Sequence, residues 1–168
     1  MSEAMQTHRP TGVSLSLSGA VDQLVRLLGR FPTSVTLLVL RVTLAIPFWR
    51  SGLTKWNGFL DLSDSAVFLF AEEFKLHLFG TEVAYPMPKL MAFLSGSAEI
   101  ILPILLVVGL STRFAALGIL AMTAVIQLTI PDGWLSYHLP WAAMALALMT
   151  YGAGRLSADY AVSRVFGR

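Results

Sequence analysis

Apolar residues in this chain come in long unbroken runs. Ser34 to Trp49 reads SVTLLVLRVTLAIPFW, Pro88 to Gly109 and Thr112 to Ile130 form two more, and His138 to Tyr151 a shorter fourth. Crossing the ~30 Å hydrocarbon core takes about 20 mainly apolar residues in a helix. The pattern therefore predicts four spans, at about 34–56, 88–109, 112–130 and 135–152. His138 to Tyr151 alone would cover roughly 21 Å, so the last span is expected to begin near Trp134. Local signals mark the ends: Pro88 near one start, Gly109 near one end, Thr112 opening the third run, and Pro131-Asp132-Gly133 closing it. Gly152 to Gly154 breaks the fourth run, and Pro47 is expected to kink the first without abolishing it.

Before the first span, Met1 to Ser18 reads as a loose polar tail. Val21, Leu24, Val25, Leu28 and Phe31 then recur at helical spacing, with Asp22, Arg26 and Arg30 on the other face. This predicts an amphipathic segment, either lying in the interface or leading into the first span. Gly58 to Tyr85 holds DLSDSAVFLFAEEFKLHLFG, too interrupted by charge to cross, and predicts a surface helix. The expected fold is all-α: a membrane four-helix bundle with an N-terminal amphipathic segment and a surface helix in the first outer loop. Residues 1–33 form a cytoplasmic tail, 34–156 the membrane domain and 157–168 a C-terminal cytoplasmic tail.

Composition strengthens this picture. The 168 residues are 55% hydrophobic and only 13% charged, with a mean hydropathy of +0.69. Soluble domains carry about 25% charged residues, and one small core cannot hide the apolar excess. No secretory leader pattern precedes residue 33, so the N-terminus is expected to be retained. The small net charge of +2 and the lack of a basic array exclude a nucleic-acid partner. There is no cysteine, which excludes disulfides, thiolate metal sites and a CxxC redox pair. Three scattered histidines suggest no metal site. Arg9, Arg26, Arg30, Arg113, Arg155, Arg164 and Arg168 fall on one side of a four-span topology, which puts both termini in the cytoplasm. Arg50, Lys55, Lys75 and Lys89 oppose that orientation from the first outer loop or its edges.

Ionisable residues inside spans are costly and turn inward. Arg41, Ala45, Phe48, Gly52 and Lys55 share one stripe of the first span. Ala92, Ser95, Gly96, Glu99, Pro103 and Leu106 form a similar stripe on the second, whose small residues permit close approach. An Arg41–Glu99 ion pair is expected, either fixing helix registry or serving function. A second polar group gathers at the outer end: Arg50, Lys55, Trp56, Gln127, His138 and Trp141. The bland reading of its tryptophans is an aromatic belt, and of Lys55 a snorkelling cation.

These residues resemble the DoxX family. The resemblance rests on R-x6-F-x3-G-x2-K at Arg41, Phe48, Gly52 and Lys55, on A-E-x3-P at Ala98, Glu99 and Pro103, and on G-L-x-T-R at Gly109 to Arg113. It extends through TAVIQLTIPDGWLSYHLPWA, Thr123 to Ala142, and covers about Thr36 to Leu156. It implies a four-helix protein of the bacterial inner membrane. Some relatives are the membrane subunit of a thiosulfate:quinone oxidoreductase, passing electrons to quinone; others accompany redox-stress or metal-oxidase systems.

Two functions follow as expectations. In one, the chain is the membrane subunit of a redox system that hands electrons to quinone, a diffusible acceptor, with a soluble oxidoreductase subunit as partner. Lys55, Gln127, His138 and Trp141 would then bind the quinone, and Glu99 with Arg41 would serve the chemistry. In the other, it is a non-catalytic membrane anchor or assembly factor for a soluble oxidoreductase. A transporter is a third option, weakened by the lack of internal repeats. The lipid bilayer is the constant partner, and a homo-oligomer stays open.

Overall fold

The computed structural model describes residues 17–167; of the loose tail expected over Met1 to Ser18, residues 1–16 lie outside them, and Leu17 and Ser18 belong to a helix. The chain divides into two units, Met1–Pro32 and Thr33–Arg168. The described part of the first is one helix, α1 (Leu17–Gly29). Val21, Leu24, Val25 and Leu28 are exposed on it.

The second unit is mostly helical. Three of its helices are long and apolar enough to cross a membrane: α2 (Thr33–Leu53), α4 (Pro88–Val108) and α5 (Thr112–Thr129). No more than 33% of each apolar window is buried, and Val39, Ile46, Ile101, Ile104, Leu117 and Val125 face outward. Such surface is stable against acyl chains and not against water, so the chain is a multi-pass membrane protein. The fourth apolar run behaves differently. Pro131–Gly133 makes a 3-10 turn, Trp134–His138 a π turn, and only then does α6 (Leu139–Tyr151) begin. At 13 residues α6 is shorter than the other three.

Helix α2 packs on α4 and α6, and α5 packs on the same two. Leu44, Leu106, Ala116, Ile119, Ala145 and Leu148 close the contact among them. Glycine ends α4: Gly109 takes φ 73°, its N–H reaches Leu106 O at 3.1 Å, and Leu110 N–H reaches Leu105 O at 3.0 Å. That pair of bonds is a Schellman ending, which the left-handed glycine makes accessible.

Thr112 begins α5, but its cap comes from far along the chain. The Asp159 carboxylate, on α7 (Ala158–Val165), accepts from Ser111 N–H at 2.7 Å and Thr112 N–H at 2.9 Å. These are orphan donors of a helix start, and a carboxylate there also meets the positive end of the helix dipole.

The connection between α2 and α4 corrects one expectation. Only part of it is helical: α3 (Asp64–Phe68), capped by the Ser63 hydroxyl, runs into a π turn over Leu69–Glu73. The rest makes two hairpins, β1 (Trp56–Gly58) with β2 (Asp61–Leu62), and β3 (Lys75–Leu78) with β4 (Thr81–Ala84). Phe79 and Gly80 at the second tip both have positive φ, 51° and 81°, the type I′ geometry that suits a two-residue hairpin. Leu76 and Leu78 alternate with charged and polar neighbours, a period of two that overrides the helical reading.

This connection folds back onto the helices. Tyr85 Oη lies 2.6 Å from Thr129 Oγ1, and His77 Nδ1 lies 3.1 Å from Leu128 O. Phe70, Tyr85 and Ala92 form a small second core beneath it.

Candidate functional site

Gly52 sets the geometry. A Cβ there would come within 3.0 Å of the Glu99 backbone, so α2 and α4 touch at this level because neither helix places bulk between them. One turn later Lys55 meets the Glu99 side chain. Lys55 Nζ donates to Glu99 Oε2 at 2.5 Å and to Ser51 Oγ at 3.0 Å. Glu99 Oε1 accepts from Ser95 Oγ at 3.2 Å. Both side chains are nearly enclosed, with 12% of Lys55 and 4% of Glu99 exposed. Burying two charges is tolerable only when each neutralises the other and the remaining lone pairs and protons find partners, and the two serines help to meet that demand.

The expected Arg41–Glu99 pair does not form. Arg41 is fully buried, but its guanidinium donates to the carbonyl oxygens of Leu106, at 3.4 Å, and of Leu156. It sits against the C-terminal end of α4, where the helix dipole favours a cation, and ties that end to the segment after α6. The reason is register. Helices α2 and α4 are antiparallel, and Gly52, which faces Glu99, lies 11 residues beyond Arg41. That is about 16 Å along the helix at 1.5 Å per residue. Gly109 leaves room for the guanidinium, since a Cβ there would collide with it.

Lys55 and Glu99 line a cavity of about 1000 Å³. Its walls are apolar: Phe48 of α2, Met91, Leu94 and Ala98 of α4, Met122, Val125 and Ile126 of α5, and Trp141 of α6. Phe70, Phe74 and Tyr85 of the α2–α4 connection line it too. Leu94 and Val125, both about half exposed, belong to the lining as well as to the outward surface, so the cavity opens beside the lipid-facing flank of α4 and α5. A second polar pole is His138, 3% exposed. Its Nδ1 lies 2.6 Å from Gln127 Oε1. Gln127 Nε2 donates onward to Pro131 O at 3.0 Å. Trp141 joins this pole to the core, with ring centroids 5.4 Å from His138 and 5.0 Å from Phe48. Gly133 passes so close that a Cβ would meet the imidazole at 2.5 Å.

Of the residues singled out in the sequence, Lys55, Glu99, His138 and Trp141 line this cavity. Gln127 reaches it only through His138, and Arg41 is absent from its lining. Ser95 was placed on the inward stripe of its helix but given no role, and Ser51 was not singled out, although each lies four residues before its charged neighbour, the spacing at which helical side chains meet. Tyr85, Phe70 and Phe74 had no such signal, because only the folding of the connection brings them in. Among the described residues, no group of three or more His, Cys, Asp or Glu is placed to hold a metal ion.

An apolar cavity with an ion pair at one pole and an oriented imidazole at the other can take a membrane-soluble molecule bearing hydrogen-bonding groups. Comparison with known proteins adds a lineage. An uncharacterized protein of Haemophilus influenzae is 32% identical over 145 residues, covering 80% of this chain and 87% of the relative. No solved structure matches. The family model described as DoxX matches residues 36–132, more than half of the 168 residues: the chain belongs to the DoxX family.

Proposed function

We propose that the protein is the membrane subunit of a redox system and binds a quinone in the cavity lined by α2, α4, α5, α6 and the α2–α4 connection. The observation that carries this reading is the composition of that cavity. Its walls are mostly apolar, and its polar groups are Lys55–Glu99, with their serines, the His138 imidazole, the Asp132 carboxylate and the hydroxyls of Tyr85, Thr129 and Tyr137. A quinone head is flat, apolar on its faces and hydrogen-bonding only at its oxygens. Its tail is lipid-like, so it reaches such a cavity by lateral movement within a leaflet. The volume also lies at the upper end of the ~300–1000 Å³ range of small-molecule sites.

In this reading Lys55 donates to a quinone oxygen. Glu99, beside it, receives and passes the protons that reduction requires. Trp141 and Phe48 offer aromatic surface to the ring. Electrons come from a soluble oxidoreductase subunit. Helix α6, with the π turn before it, serves as a fourth crossing, and both termini lie on the cytoplasmic side of a bacterial inner membrane. Arg113, Arg155 and Arg164 support that orientation.

The test is purification in mild detergent, mass spectrometry of the co-purified lipids, and titration with a short-tailed quinone. The reading expects quinone among the retained lipids and saturable binding weakened in Lys55→Ala and in His138→Ala. Unchanged binding in both variants would remove the site assignment.

A second reading, a non-catalytic anchor or assembly factor, draws on a different observation. Phe59 and Phe79 stand at the hairpin tips with 95% and 106% exposure, the kind of apolar prongs that dock a partner. Under that reading, replacing both with serine abolishes partner recruitment, while Glu99→Gln costs stability alone.

A further inference from the structure

We infer that the cavity favours a ligand that donates a hydroxyl group to His138, so that of a quinone couple it holds the hydroquinone more tightly than the quinone, and that Gln127 is the positioning residue that imposes this preference. The inference rests on the quinone-binding reading above.

The argument is one of hydrogen-bond polarity. Pro131 O can only accept, so the Gln127 nitrogen 3.0 Å away must be the amide NH2. The other end of the amide, 2.6 Å from His138 Nδ1, is therefore the carbonyl oxygen. Two acceptors do not bond, so Nδ1 carries the proton. In a neutral imidazole the second nitrogen is then a bare lone pair. Nε2 has no hydrogen-bond partner among the described residues, although His138 is 3% exposed and lines the cavity. Trp141 and Gly133 pack against the ring, which holds it against the flip that would put Cδ2 in the place of Nδ1.

A quinone carbonyl placed against Nε2 sets lone pair against lone pair. A hydroquinone hydroxyl in the same place donates a hydrogen bond. The other polar pole does not discriminate in this way: Lys55 uses two of its three ammonium protons on Ser51 and Glu99, and the third can serve a carbonyl or a hydroxyl oxygen alike. One buried hydrogen bond made in one redox form and missing in the other gives a preference of about tenfold. For a two-electron couple that raises the potential of the bound ligand by about 30 mV, which draws electrons toward the site.

The experiment has two arms, both at pH 8, where an ordinary histidine is neutral. In the first, the protein is labelled with nitrogen-15 histidine and long-range proton–nitrogen spectra report which ring nitrogen is protonated. The chain has three histidines, and His138 is assigned by its loss in His138→Asn. In the second, the oxidised and reduced forms of one short-tailed ubiquinone analogue are titrated anaerobically into wild type and Gln127→Ala. The expected result is Nδ1–H at His138, about tenfold tighter binding of the reduced form, and a ratio near one in Gln127→Ala, with the ring proton shifted toward Nε2. A proton on Nε2 in the unmodified protein overturns the inference, and so does equal or tighter binding of the oxidised form. In that last case the quinone-binding function survives; if neither form binds, both readings fall. Should Gln127→Ala not fold, the tautomer and the binding ratio of the unmodified protein decide the matter alone.

Discussion

Exchanging Lys55 for methionine leaves the Glu99 carboxylate buried with only Ser95 as a partner, since Lys55 supplies its sole ionic contact among the described residues. Breaking one side of a buried pair typically costs about 3–5 kcal/mol, because the remaining charge stays uncompensated. Here 12% of the lysine and 4% of the glutamate are exposed, so water relieves little of that cost. Glu99→Gln should cost a similar amount by stranding the ammonium. The double variant removes both charges and should lose less than the sum, by a coupling energy of about 2–3 kcal/mol. The assay is reversible unfolding in lipid nanodiscs or mixed micelles, followed by tryptophan emission. A parallel cycle with Arg41→Met and Glu99→Gln should be additive within about 0.5 kcal/mol, because Arg41 meets backbone carbonyls and not the carboxylate. Additivity in the Lys55 cycle, or strong coupling in the Arg41 cycle, would refute the pairing and the helix register from which it follows.

Other perturbations act on separate parts of the fold. Gly109→Ala forces a left-handed φ of 73° on an alanine and drives its Cβ into the Arg41 guanidinium; it should destabilise the protein by about 1–3 kcal/mol in the same unfolding assay. Asp159→Ala removes the carboxylate that caps α5 and should cost about 0.5–2 kcal/mol, read as faster hydrogen exchange at Ser111 and Thr112 with ligand binding unchanged. Gly133→Ala should push the His138 ring aside and weaken binding in the cavity at least tenfold, while an unchanged affinity would separate His138 from the site. Tyr85→Phe deletes the bond to Thr129; it should cost about 0.5–1.5 kcal/mol and speed exchange in the β3–β4 hairpin more than in α5.

Much of the helical domain was legible because lipid imposes a simple rule. Long apolar runs punctuated by Pro88, Gly109 and Pro131 marked α4 and α5 to within a residue, while α2 ends at Leu53, three residues before the expected end at 56. The inward stripes were readable too: Ala92, Gly96, Glu99, Pro103 and Leu106 are the buried residues of α4. What periodicity does not contain is the vertical offset between two helices. Arg41 and Glu99 each face inward, yet the contact at Gly52 places them at different depths, and Lys55 takes the partner expected for Arg41. The α2–α4 connection failed for another reason. Its apolar residues are dense enough to suggest a helical face, but Phe79-Gly80 turns the chain and a period of two takes over. Asp159 could not be foreseen as the α5 cap, since the two are joined only by the tertiary fold.

The central claim is that a membrane-soluble quinone occupies the space bounded by Lys55, Glu99, His138 and Trp141. Photo-crosslinking with an azido-quinone in nanodiscs, followed by peptide mapping, tests it most directly. The account predicts saturable labelling, displaced by unmodified quinone, confined to the cavity-lining stretches 47–55, 70–85, 91–99 and 121–141. Labelling that does not saturate, or that falls on α1 or α7 instead, would contradict it.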